Sequence, residues 1–153
     1  MFKPKHVYIE KEALDYTLGK EIKKQFEDMQ IPVDILESNR VNFLRGKSVQ
    51  EKYEIGKRVL VIGVRRTLEF QSCKPSAHYQ LPLVTGCIGK CEYCYLNTNL
   101  KDKPFTRIYV NLDDILKKAK RYTQTGKFKP TIFEGSATSD PVPVEPYTHA
   151  LAK

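Results

Sequence analysis

Cys87, Cys91 and Cys94 make a C-x3-C-x2-C pattern within the run Thr85-Gly-Cys-Ile-Gly-Lys-Cys-Glu-Tyr-Cys-Tyr95. Thiolates are the usual ligands of an iron–sulfur cube with four irons, so three close cysteines can hold three irons and leave the fourth open. An open iron is a place to do chemistry. Zinc is the competing occupant, because clustered cysteines in an intracellular chain also build structural zinc sites. Such sites want four ligands, commonly as two close pairs, and the candidates for a fourth are Cys73, His78 and the distant His6 and His149. No second pair is present. A disulfide framework fits poorly, since four cysteines in 153 residues are not disulfide-dense and no secretory signal precedes them.

Hydrophobic spacing predicts the elements that must position this loop. Val7-Tyr-Ile9 is a short strand candidate, and Leu18, Ile22, Phe26 and Met29 recur on one side of a helix. Pro32 keeps residues 31–36 extended. Residues 37–57 are polar and read as a loop, and the near-continuous apolar run 58–64 suits a buried strand. Residues 78–84 read as one strand that delivers the cysteines at its C-terminal end. Asn111 is positioned to cap a helix carrying Asp113 and Asp114 at the positive end of its dipole. Leu112, Ile115, Leu116, Ala119 and Tyr122 form its apolar face, Gly126 ends it, and residues 130–134 read as the next strand. Strand, crossover helix and strand in that order imply parallel pairing. Barrels of parallel strands keep their chemistry on the loops after the strand C-termini, which is where residues 87–94 and 135–140 both fall.

Composition sets outer limits. The chain is 41% hydrophobic and has no apolar run approaching the ~20 residues that cross a membrane, so a soluble cytoplasmic protein is expected. Lys and Arg outnumber Asp and Glu by 26 to 18, for a net charge of +8. That balance favours polyanions such as nucleic acid, although basic residues on solvated helix faces give the same count.

The cysteine spacing and the aromatic after Cys94 resemble the radical S-adenosylmethionine (SAM) superfamily. More narrowly, Val64-Arg-Arg-Thr-Leu68, Lys74-Pro-Ser-Ala77, Thr85-Gly-Cys87, Cys91-Glu-Tyr-Cys-Tyr-Leu96, Lys103-Pro-Phe-Thr-Arg107, Tyr109-Val-Asn111 and Phe133-Glu-Gly-Ser-Ala-Thr-Ser-Asp140 look like successive blocks of the spore photoproduct lyase family. The resemblance implies an α/β fold: an N-terminal α/β extension over residues 1–75, then the start of a radical SAM partial (β/α)6 barrel over 76–153. Members are roughly twice as long, so this chain resembles the N-terminal portion of a longer enzyme. The implied reaction is reversal of the UV-induced spore photoproduct, 5-thyminyl-5,6-dihydrothymine, to two thymines by 5′-deoxyadenosyl radical chemistry. The implied cofactors are a [4Fe–4S] cluster and SAM. The implied partners are UV-damaged DNA and a reducing electron donor such as flavodoxin or ferredoxin, with no membrane, in the cytoplasm of a spore core.

The same resemblance implies roles residue by residue. Cys87, Cys91 and Cys94 ligate the cluster. Ser139, Ser136 and Asp140 lie where the second-strand loop meets SAM, with turn chemistry before Pro141 as the alternative. Glu134 is either an amine-binding carboxylate or a structural partner of Arg107 or a lysine. Tyr93 and Tyr95 bracket Cys94 and point to opposite sides of an extended loop; the family's tyrosine relay returns a hydrogen to SAM, and ordinary buried aromatics are the alternative. Ala137 departs from the pattern, standing where the family carries a hydrogen-donating cysteine. Cys73, the one thiol not committed to the cluster, becomes the candidate donor, against the alternative of a small, partly buried residue. Two other classes share the cysteine loop: a radical SAM enzyme acting on RNA or peptide, and a non-enzymatic iron–sulfur or zinc protein that binds nucleic acid.

Overall fold

A computed structural model describes residues 2–100 and 103–153. The strands are β1 (His6–Glu10), β2 (Val33–Leu36), β3 (Val59–Gly63), β4 (Tyr79–Leu81), β5 (Val84–Thr85), β6 (Thr106–Tyr109) and β7 (Phe133–Gly135). Five of them make one sheet in the order β2-β1-β3-β6-β5, parallel except for β5 against β6. All five residues of β3 are buried, as expected of a central strand covered on both faces. Its alternation divides the core in two. Leu60 and Ile62 join Val7, Ile9, Ile22, Phe26 and Ile108 on one face, and Val59 and Val61 join Leu44 and Phe105 on the other.

The helices are α1 (Thr17–Asp28), α2 (Val49–Gly56), α3 (Leu96–Asn99), α4 (Leu112–Thr125) and α5 (Glu145–Thr148). The expected apolar stripes are realised: α1 buries Ile22 and Phe26, and α4 buries Leu112, Ile115 and Ala119. Asn111 occupies the N-cap of α4 without capping it. Its amide instead accepts from the Arg65 N–H at 2.8 Å and donates to the Arg65 carbonyl at 3.0 Å, tying the start of α4 to the exit of β3. Among the described residues no helix is long and apolar enough to cross a membrane.

Two expectations need correction. The stretch 37–57 is not all loop, because Ser48 and Glu51 form a capping box that starts α2. Residues 78–84 are not one strand. Pro82 offers no N–H for a ladder, so the chain leaves β4, which pairs in parallel with β7, and re-enters the larger sheet as β5. β5 and β6 extend a sheet that starts at residue 6, on both sides of the expected division between 75 and 76.

Candidate metal centre

The cysteine loop leaves β5 through Gly86, whose φ is +74° and where a Cβ would stand 2.1 Å from the Phe105 carbonyl oxygen. Only glycine allows this turn against the neighbouring strand. At the same point Gly86 bridges in parallel to Ser139, and the Ser139 hydroxyl donates to the Gly86 carbonyl. The entry of the cysteine loop is thus fastened to the loop that follows β7, and the two segments expected to share a site do meet. After the last cysteine the chain turns into α3, where Leu96 is buried and the Thr98 hydroxyl donates to the Tyr95 carbonyl at 2.7 Å.

Behind the loop stands α2. Lys57, at its C-terminal end, is only 4% exposed and donates to the Cys87 carbonyl at 2.6 Å. Burial pushes the Lys57 ammonium below the ordinary lysine range, and the negative charge of Cys87, Cys94 and Cys91 opposes that shift. Lys57 thereby sets a buried ammonium against the cysteine loop. Lys90 in the loop reaches back to Glu54 of α2 at 2.7 Å, which together with Arg58 holds that carboxyl below its usual range. The ammonium groups of Lys57 and Lys90 lie 5.2 and 5.8 Å from the Tyr53 ring centroid. Sequence reasoning missed Tyr53, Glu54 and Lys57 because it read their helix as loop; the Ser48-x-x-Glu51 capping signature was the available signal.

The spacing of the cysteine sulfurs bears on what they could hold. They form no disulfide. A zinc ion with Zn–S bonds of about 2.3 Å draws its sulfurs to about 3.8 Å from one another. A cube takes one thiolate at each of three separate irons and needs room between them. Gly89 supplies it, since a Cβ there would stand 3.3 Å from the Cys87 sulfur and 3.5 Å from that of Cys91. The Gly89 N–H also points at the Cys87 sulfur, 3.3 Å away, the kind of hydrogen bond that tunes cluster potentials.

The remaining expected residues divide into two groups. Tyr93 and Tyr95 are 98% and 60% exposed, so neither is an ordinary buried aromatic. Ser136 is buried with φ +63°, and its hydroxyl oxygen accepts from the Val84 N–H at 2.9 Å, bracing β5. Asp140 accepts from the Val142 N–H at 3.1 Å in the turn after Pro141 begins. Among the described residues Glu134 pairs with neither Arg107 nor a lysine. It accepts from the Cys73 thiol at 2.8 Å and from the Ser76 hydroxyl. Those two hydrogen bonds hold the Glu134 carboxyl below its usual range. The bond to Glu134 chiefly raises the Cys73 thiol, with burial and the carboxylate charge adding to it and Ser76 opposing. Cys73 is thereby tied as a thiol donor to Glu134 of β7, three residues before Ala137. Ala137 lines a cavity of about 220 Å³ with Arg65, Gln71 and Thr85.

Comparison with known proteins points to one family. The family model described as spore photoproduct lyase matches residues 2–153. The spore photoproduct lyase of Clostridium acetobutylicum is 52% identical over 149 residues, covering 97% of this chain and 44% of that protein. The Bacillus subtilis protein of the same name is 45% identical over 153 residues, covering 99% and 45%. A solved spore photoproduct lyase complexed with the dinucleoside spore photoproduct superposes with a TM-score of 0.92 at 48% identity, over 98% of this chain and 44% of that one. A variant solved with SAM and the same dinucleoside bound superposes with a TM-score of 0.90 at 50% identity. The chain spans less than half the length of these relatives.

Proposed function

The chain belongs to the spore photoproduct lyase family, and on that premise we propose that it forms the cluster-binding part of a DNA repair lyase that returns 5-thyminyl-5,6-dihydrothymine to two thymines. The observation that carries this reading is the cysteine loop, spaced open at Gly89 and fastened through Gly86 to the Ser139 hydroxyl on the loop after β7. Cys87, Cys91 and Cys94 hold a [4Fe–4S] cluster. When bound, the cluster and SAM together supply a 5′-deoxyadenosyl radical by one-electron reductive cleavage, the electron coming from a donor of the flavodoxin or ferredoxin class. The protein works where spore DNA is, in the cytoplasm of the spore core.

The chain's own residues orient and protect that chemistry. Lys57 neutralises thiolate charge from the protein side, and α2 excludes water behind the loop. Ser139 faces the SAM side of the loop after β7, with Asp140 shaping the turn beyond it. Ser136 serves this site by bracing β5, and Glu134 serves it by holding Cys73, in place of direct contacts to SAM. Tyr93 and Tyr95, displayed outward from the loop, are placed for the relay that returns a hydrogen to SAM. Ala137 has no transferable hydrogen, and Cys73, kept protonated by Glu134, takes the donor role toward the thymine radical. Water-poor surroundings preserve such radicals, and the lesion must leave the base stack to enter.

A chimera tests the reading. This chain is fused to the C-terminal part of the Bacillus subtilis relative, reconstituted without oxygen, and given the dinucleoside spore photoproduct. The expected result is clean conversion to thymines, abolished by Cys87→Ala. Cys73→Ala should still release 5′-deoxyadenosine while repair diverts to side products. Release of 5′-deoxyadenosine by the unmutated chimera with no repair of the lesion would overturn the proposed substrate.

A further inference from the structure

A second cavity opens beside the cysteine site and shares only its entry with it. It measures about 580 Å³ and is walled by the segment 39–45, by Lys52 of α2 and by residues 103–107, with Thr85 and Gly86 at one end. Five of its lining residues are cations, Arg40, Arg45, Lys52, Lys103 and Arg107, and among the described residues no carboxylate lines it. The side chains of Arg40, Arg45 and Lys103 make no ion pair among the described residues.

Arg107 is the fixed member of the set. Its guanidinium donates to the Asn39 carbonyl at 3.0 Å, stacks 5.7 Å from the Phe105 ring centroid and stands 3.8 Å from the buried carboxylate of Glu10. Its Nε is buried without an acceptor. A group of like charges around one concave surface raises the local potential and concentrates anions there. The volume falls in the range of small-ligand sites and suits the sugar–phosphate backbone of one strand.

We infer that this cavity is a backbone subsite, holding the sugar–phosphate of the DNA strand next to the lesion and thereby setting the strand's register on the cysteine loop. The inference rests on the proposed DNA substrate. Its position supports that role, because Gly86 belongs both to the cavity wall and to the entry of the cysteine loop. Contacts of this kind position a nucleic acid without reading its sequence.

The test uses this chain without reconstitution, titrated into a fluorescent 20-base-pair undamaged duplex at several salt concentrations. Neither cluster nor lesion is involved, so failure here is separate from failure of the repair assay. The triple variant Arg40→Gln, Arg45→Gln, Lys103→Gln is compared with Lys20→Gln, Lys117→Gln, Lys120→Gln, which removes the same charge from exposed positions on α1 and α4. The cavity variant is expected to bind at least about tenfold more weakly at low salt, with its salt slope reduced by about 2.7 for three lost phosphate contacts. The control should lose less than about threefold. Equal losses in both variants would assign the binding to net charge and overturn the inference, as would no loss in either. Competition by a free mononucleotide as effective per phosphate as by DNA would also overturn it, making the cavity a small-phosphate site.

Discussion

The sheet interior and the cysteine face are built by opposite means. In the sheet, Val7, Ile9, Leu60, Ile62 and Ile108 are fully buried and held by parallel ladders. On the cysteine face Cys91 is exposed, Tyr93 is almost wholly in solvent, and the chain is held by single bonds from Lys57, Ser139 and Glu54 through Lys90. Apolar burial therefore fixes the scaffold, while a few polar contacts aim the loop. A reactive site gains from this division, because the scaffold supplies stability and the loop keeps its surface for a cofactor and a substrate.

Substitutions can break or sharpen that contrast. The largest effect belongs to the sheet: Leu60→Ala should cost about 2–5 kcal/mol in denaturant unfolding, the range for a buried leucine that leaves a cavity. Removing the cap that starts α2 should cost less, with Ser48→Ala losing about 1 kcal/mol. If instead this change left stability untouched yet weakened iron binding, α2 would act only as a backstop to the loop.

A third change moves reactivity more than stability. In a background with Cys87, Cys91 and Cys94 replaced by Ala, Glu134→Gln removes the carboxylate that raises the Cys73 thiol. A raised thiol pKa means less thiolate at a given pH, so the variant should alkylate faster at pH 8, by a few-fold up to about tenfold. Its rate profile should also shift to lower pH, and an unchanged profile would remove Glu134 from the account of Cys73. The smallest effect is expected at the most exposed position, where Tyr93→Ala should change unfolding stability by no more than about 0.5 kcal/mol.

Much of the scaffold was legible in the residues. The strands β1 and β3 and the helices α1 and α4 follow from hydrophobic spacing, because each buries a run or one regular stripe, whereas β2, with no fully buried residue, is marked by Pro32. Strand β6 did not stand out, since Thr106-Arg-Ile-Tyr109 is four residues long and owes its place to β3, more than 40 residues earlier in the chain. Pro82 divided a run that looked continuous. At the site, the three cysteines were legible because a metal loop is local in sequence. Lys57 was not, since its partner Cys87 lies 30 residues away. Glu134 was noticed, but its choice of Cys73 and Ser76 over Arg107 depends on the pairing of β4 with β7, which spacing alone does not reveal.

The claim that three thiolates hold a cluster with one open iron is met most directly by metal analysis of this chain. Anaerobic reconstitution with iron and sulfide should give a brown protein with about four irons per chain, and adding SAM to the reduced sample should change its electron paramagnetic resonance spectrum. Stoichiometric zinc in anaerobically isolated protein, with no iron taken up, would contradict the account.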